Sequence, residues 1–104
     1  MKKVLTLSIA IILSTFASAS FAGDAAAGKA KSVTCAGCHG TNGISNNPKV
    51  WPNLAGREEA EIASALQMYR DGRRKHAVMS IMAKNLTDDE IDNLAAYFSS
   101  QKQK

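Results

Sequence analysis

Five residues near the start of the chain, Cys35-Ala36-Gly37-Cys38-His39, carry most of the chemical information in this sequence. They match the C-x-x-C-H spacing, in which two thiols can each bond to one vinyl group of a haem and the following histidine can ligate the iron. Because the 104 residues include only these 2 cysteines, a scaffold held by several disulfide bonds is excluded.

Three other functions of such a cysteine pair fit the rest of the sequence less well. A dithiol redox motif normally lies beside a β-α-β pattern, which this sequence lacks. A structural zinc site needs four ligands, and the mature chain offers the two cysteines, His39 and His76 without a second pair at standard spacing. A disulfide bond between Cys35 and Cys38 would close so small a ring that it would stabilise little. The motif therefore predicts one covalently bound haem, haem c.

The residues before the motif predict export. A basic start is followed by the uncharged, mostly apolar run 4–16 and then by small residues, which is the layout of a secretory signal peptide. The run is shorter than the roughly 20 apolar residues that span a bilayer, so we expect cleavage, after Ala22 or Ala19. We favour Ala22. The sequence thus predicts a signal peptide over 1–22, a mature domain over 23–104, and a periplasmic location without stable membrane insertion.

The composition predicts a single all-α domain. Hydrophobic residues make up 45% of the chain and charged residues 21%, which argues against disorder. Basic residues exceed acidic ones by 13 to 9, a net charge of +4 that is too small to indicate a nucleic-acid partner. Strand-forming residues are sparse and alanine is abundant. A mature chain of this size is near the limit of what a hydrophobic core alone can stabilise, and a haem would add core volume.

Start and stop signals predict three helices separated by two long loops. An aspartate, a glutamate-rich first turn and a capping box mark the starts, and apolar residues recur at helical spacing in the last two. The helices are expected over 24–33, 57–71 and 87–101, and the loops over 40–56 and 73–86.

The second axial ligand has to come from a later segment, and several residues could supply it. Met68 adjoins the apolar stripe of the second helix, where core packing explains it. His76 lies among basic residues, which favours a position facing solvent. Met79 and Met82 both lie in the second loop, and their spacing alone does not decide between them.

The chain resembles the class I c-type cytochromes, most closely the small bacterial c4-like and c553-like domains. The resemblance covers the whole mature chain and includes the haem motif, the segment Trp51-Pro52-Asn53-Leu54-Ala55-Gly56 and the residues from Met79 to Phe98. It implies the class I cytochrome c fold, in which three main helices and two long loops wrap around one covalently bound haem. Gly28 and Tyr97 match the close crossing of the first and last helices.

The resemblance also implies roles for individual residues. Cys35 and Cys38 match the positions of covalent attachment, and His39 matches the proximal iron ligand. Counting back from the leucine before the last helix to the family's axial position gives Met79, with Met82 as the alternative. The carbonyl of Pro52 matches the group that accepts a hydrogen bond from the proximal histidine, which orients the ring and raises its basicity.

The function implied by the resemblance is electron transfer. With histidine and methionine filling both axial positions, no coordination site is open to substrate, and the iron can cycle between Fe(III) and Fe(II). We therefore expect a monomeric carrier rather than an enzyme, working between redox proteins such as a membrane complex and a terminal oxidase or reductase of a respiratory chain. The alternative is the haem subunit of a periplasmic dehydrogenase complex, such as a flavocytochrome sulfide dehydrogenase.

Four basic residues at the end of the second helix suggest where a partner docks: Arg70, Arg73, Arg74 and Lys75. A loop that delivers a ligand to the iron must run along the haem, so this cluster is expected near the haem pocket. It could steer an acidic partner. The helix dipole also favours basic residues at a C-terminus, which is a purely structural explanation.

Overall fold

The fold is built from helices. The computed structural model describes residues 23–103, and within that range no strand is present. The order is α1 (Ala25–Lys31), α2 (Val33–His39), α3 (Glu59–Asp71), α4 (Met79–Ala83) and α5 (Asp88–Ser100). The all-α prediction is confirmed. The predicted signal peptide over 1–22 lies outside the described residues. Within 23–103, no helix has both the length and the hydropathy that a membrane-spanning segment requires.

The helix ends predicted from the sequence are formed by the expected groups. The Asp24 carboxylate accepts hydrogen bonds from the first amides of α1, 2.9 Å from Ala26 N. Gly72 ends α3 with a φ of 80°, a left-handed conformation in which glycine has no side chain to strain. At the start of α5, Thr87 and Glu90 form a reciprocal capping box, with distances of 3.1 and 3.0 Å. Each cap satisfies backbone groups that the helix itself leaves unpaired.

Two short helices were not predicted. The first predicted helix ends at Lys31, because the Ser32 hydroxyl donates to the Lys29 carbonyl at 2.7 Å and closes that turn, and α2 then carries the haem motif. The prediction of an unbroken loop over 73–86 was wrong, since α4 lies inside it. The second main helix also begins two residues late, at Glu59, because Glu58 is extended with a ψ of 134°.

The core forms where α5 packs against α1 and α3. Its buried apolar residues are Ile62, Ala63, Ile91, Leu94, Ala95, Tyr97 and Phe98. The crossing of α1 and α5 is close at Gly28, where an added Cβ would overlap the Asn93 carbonyl and lie 2.8 Å from the Tyr97 Cβ. The expected contact between Gly28 and Tyr97 is therefore confirmed. The Tyr97 hydroxyl extends this contact to the first loop by donating to the Thr41 carbonyl at 3.1 Å.

A methyl group at the crossing should force the two helices apart. We expect Gly28→Ala to lower the free energy of unfolding by about 1–3 kcal/mol, because the obstructing atoms belong to the backbone of α5 and cannot rotate away. The measurement is denaturant unfolding of the haem-loaded protein. Gly37→Ala is the matched control, since no atom lies within 4 Å of its added Cβ and the change suits a helix. Equal losses in the two variants would contradict a close crossing.

Candidate functional site

The predicted site residues all line one cavity. It has a volume of ≈ 380 Å³ and lies among α2, the first loop, α3, α4 and α5. Apolar side chains of α3 and α5, including Ile62, Leu66, Leu94 and Phe98, form much of its wall. The predicted residues that line it are Cys35, Cys38, His39, Pro52, Met79 and Met82.

The two cysteines lie on one face of α2. Residues three apart in a helix are neighbours on its surface, so both thiols line the cavity together. Both are free and partly buried. Burial raises the pKa of the Cys35 thiol, while the Thr34 hydroxyl and the charge of Lys31 oppose that shift. The pair is therefore placed as two thiols against an apolar cavity.

His39 is held in one orientation. It is 7% exposed, and its Nδ1 lies 2.7 Å from the carbonyl oxygen of Pro52. Because a carbonyl oxygen only accepts hydrogen bonds, Nδ1 carries the ring proton and Nε2 keeps its lone pair. An imidazole oriented in this way is the usual form of a histidine that binds a metal.

The loop that supplies the Pro52 carbonyl is fixed by a network that sequence reasoning missed. The Asn53 side chain accepts from the Ser45 amide at 2.7 Å, and the Asn53 carbonyl accepts from Arg57 Nε at 2.6 Å. The Ser45 hydroxyl in turn donates to the Cys38 carbonyl at 3.3 Å. The network joins the haem motif to the loop. Its one signal in the sequence was the position of Asn53 directly after Pro52.

The candidates for the second ligand all reach the cavity. Met79 is the first residue of α4 and is half-buried, whereas Met82, one turn later, is 40% exposed. Met68 lines the cavity from α3. His76 also lines it, but its Nδ1 accepts hydrogen bonds from the amides of Val78 and Met79, both at 3.2 Å. The structure thus brings the candidates together without selecting one.

The residues of the cavity fit a haem. A porphyrin is a large apolar plate, and the cavity offers apolar walls, two thiols on one helix face, an oriented imidazole and methionine thioethers. Among residues 23–103, no group of three or more His, Cys, Asp or Glu side chains is arranged to hold a bare metal ion.

Comparison with known proteins identifies the family. Residues 22–98 match the family model described as cytochrome C oxidase, cbb3-type, subunit III. The chain is 48% identical over 84 residues to cytochrome c-554(548) of Halomonas halodenitrificans, an alignment that covers 78% of this chain and 100% of the relative. The chain belongs to the class I c-type cytochromes and is c4-like. Its predicted family and its class I cytochrome c fold are confirmed.

Two further similarities place the cytochrome among its relatives. It superposes on reduced recombinant cytochrome c4 from Pseudomonas stutzeri with a TM-score of 0.73 and 40% identity, covering 78% of this chain and 47% of that structure. It is 39% identical to the cytochrome subunit of sulfide dehydrogenase from Chlorobaculum tepidum, over 74% of this chain and 68% of the subunit. The chain thus spans about half the length of the cytochrome c4 structure.

Family membership and the haem motif together establish the cofactor and the general activity. The cytochrome carries one covalently bound haem c, as predicted, and it is a monohaem electron-transfer protein. Its partners are redox proteins.

Removing the Asn53 side chain should loosen the loop that orients His39. We expect Asn53→Ala to lower the free energy of unfolding by about 1–3 kcal/mol, because the amide of buried Ser45 would lose its acceptor. The measurement is chemical unfolding followed by the haem absorption. Asn46→Ala is the control, since that exposed residue belongs to the same loop and should change stability by less than about 0.5 kcal/mol. Equal stability of the two variants would contradict a structural role for Asn53.

Proposed function

We propose that this cytochrome is an exported, monomeric carrier of single electrons, with Cys35 and Cys38 as the haem attachment sites and His39 and Met79 as the axial iron ligands. The observation that carries the proposal is the 2.7 Å hydrogen bond between His39 and the Pro52 carbonyl. It leaves Nε2 of a buried imidazole as the free ring nitrogen beside two thiols and a thioether. The proposed location is the periplasm, reached through the signal peptide over 1–22.

Burial supports Met79 over Met82 as the thioether ligand. Met79 is half-buried at the start of α4, close to the end of α3, while Met82 is more exposed. A thioether that is shielded from water is displaced from a metal by solvent less readily than an exposed one. Met82, as in the prediction from sequence, is then a packing residue at the edge of the cavity.

The chain's own residues favour electron transfer. The haem supplies an iron that gains or loses one electron, and a thioether ligand favours its ferrous form. The imidazole and the thioether would fill both axial positions, so no position would remain for a substrate. With haem bound, the apolar side chains of α3 and α5 would keep water away from it, which would limit the rearrangement that accompanies a change of charge. A carrier therefore fits these residues better than an enzyme.

A second candidate function is supported by one similarity. The cytochrome subunit of sulfide dehydrogenase from Chlorobaculum tepidum matches 74% of this chain. In that case the cytochrome would accept electrons from a catalytic subunit bound to it permanently. Purification of the native protein under mild conditions separates the two functions, because a dehydrogenase subunit would co-purify with a second chain and a free carrier would elute as a monomer.

The structure changes which basic residues are suited to docking. Arg70 forms an ion pair with Asp88 at 2.7 Å, and Arg73 forms one with Asp71 at 3.1 Å, so part of the predicted cluster is neutralised locally. Lys75 and Lys84 line an open groove between the ends of α3 and α4, which the ion-paired Arg70 and Asp71 also line. Neither lysine forms an ion pair within residues 23–103. We propose that this groove, beside the α4 end of the cavity, steers an acidic partner.

Separate replacement of the two methionines tests the proposed ligand. We expect Met79→Ala to abolish the weak long-wavelength absorption band of Fe(III)–thioether bonding and to lower the potential on the order of 0.1–0.2 V, within the roughly 0.8 V that axial ligands span. Met82→Ala should keep the band, and its effect should be a modest loss of stability because the side chain is partly exposed. Survival of the band in Met79→Ala with its loss in Met82→Ala would reverse the assignment.

Charge reversal in the groove tests the carrier function together with its docking surface. We expect the second-order rate of electron transfer to the native acceptor to fall with ionic strength, and Lys75→Glu/Lys84→Glu to lower it by about tenfold at low salt. Lys29→Glu/Lys102→Glu is the charge-matched control, because it also exchanges two lysines and neither of them lines the cavity or the groove, and it should retain most of the rate. A rate that changes neither with ionic strength nor on charge reversal would indicate docking through the apolar edge around Trp51.

A further inference from the structure

The helix that bears Met79 is weakly anchored. α4 has five residues, too few to be stable as an isolated helix, and its first turn has no acidic side chain. Val78 and Ile81 are 49% and 71% exposed, and Ala83 at the far end is the buried residue of the helix. The N-terminal turn, where Met79 lies, therefore needs some other interaction to hold it in place.

A histidine supplies that interaction. Nδ1 of His76 accepts hydrogen bonds from the amides of Val78 and Met79, both at 3.2 Å. The hydroxyl of Ser80 accepts a hydrogen bond from the His76 amide at 3.0 Å, and the Ser80 amide donates to the His76 carbonyl at 3.0 Å. The arrangement is reciprocal, like a capping box, with an imidazole nitrogen in place of the usual hydroxyl or carboxylate oxygen.

The ring of His76 is in turn held against α3. It meets the ring of Tyr69 edge-on, with the centroids 6.5 Å apart and the planes at 77°. The guanidinium carbon of Arg74 lies 5.5 Å from the centroid of the same Tyr69 ring. The long helix α3 therefore positions Tyr69, Tyr69 positions His76, and His76 holds the backbone amide of Met79.

We propose that His76 is a positioning residue for the methionine ligand, acting through its Nδ1 as the cap of α4 and not as an iron ligand itself. The inference rests on the proposed function, because it assumes that Met79 is the residue bound to iron. A backbone N–H group can only donate a hydrogen bond, so Nδ1 must accept both hydrogen bonds with its lone pair. Loss of that acceptor would free the turn and let the methionine leave the iron more often, while the core of α1, α3 and α5 stays intact.

Two variants test the hydrogen-bond acceptor and the aromatic ring of His76 separately. His76→Phe keeps an aromatic ring beside Tyr69 but removes the acceptor, and His76→Asn removes the ring but keeps a side-chain oxygen that is a preferred cap. The probe is cyanide, which binds ferric haem once the methionine has left. We expect His76→Phe to raise the apparent cyanide affinity roughly three- to thirtyfold, the range of a lost cap, and to weaken the Fe(III)–thioether band. His76→Asn should remain close to wild type.

Two controls make the outcome decisive. Thr87→Val removes a cap from α5 instead of α4, so it should lower global stability without raising cyanide affinity. Equal cyanide affinities in wild type and His76→Phe, a His76→Asn variant that behaves like His76→Phe, or a matching rise in Thr87→Val would each overturn the role of His76. Met79→Ala, measured in parallel, tests the ligand itself. If the band survives there, the proposed ligation fails first, and the inference about His76 fails with it.

Discussion

At Gly28, the backbone of α1 lies against the backbone of α5, and the space between them has no room for a side chain. This contact fixes the direction of α1, and α2 follows it after the single residue Ser32. The position of the cysteines and His39 is therefore set by a helix crossing to which these residues do not contribute. The residues of α5 that follow the two crossing contacts, Leu94 and Phe98, line the cavity wall, so the same helix sets both the position of the motif and the surface it faces.

Local signals in the sequence predicted the parts of the fold that depend on nearby residues. The caps at Asp24 and Thr87 and the stop at Gly72 each act within a few positions of their own helix. The network of Ser45 and Asn53 could not be predicted in this way, because its bonds join residues whose pairing depends on the path of the loop. The helix α4 escaped prediction because histidine is not among the common capping residues.

At the predicted site, the chemistry of the residues could be predicted from the sequence, whereas their geometry could not. The spacing of Cys35, Cys38 and His39 is a chemical requirement of haem attachment, and one helix with both thiols on the same face satisfies it. The choice between Met79 and Met82 depends on which side chain points inward from a short helix, and both line the cavity. The same is true of the charged residues. The four basic residues could be identified in the sequence, but the ion pair between Arg70 and Asp88 could be identified only from the folded structure.

The two axial sides of the proposed haem site are held by elements of very different strength. His39 belongs to a helix joined to α1, it is buried, and its partner Pro52 is fixed by the Asn53 network. Met79 belongs to a five-residue helix whose one buried residue is Ala83 and whose first turn is held by hydrogen bonds with His76. Segments with few buried contacts open at a lower free energy than the rest of a protein. Ligand exchange should therefore begin on the methionine side, and the rate of that opening would be set by Tyr69 of α3 and by His76 before α4, both outside the haem motif.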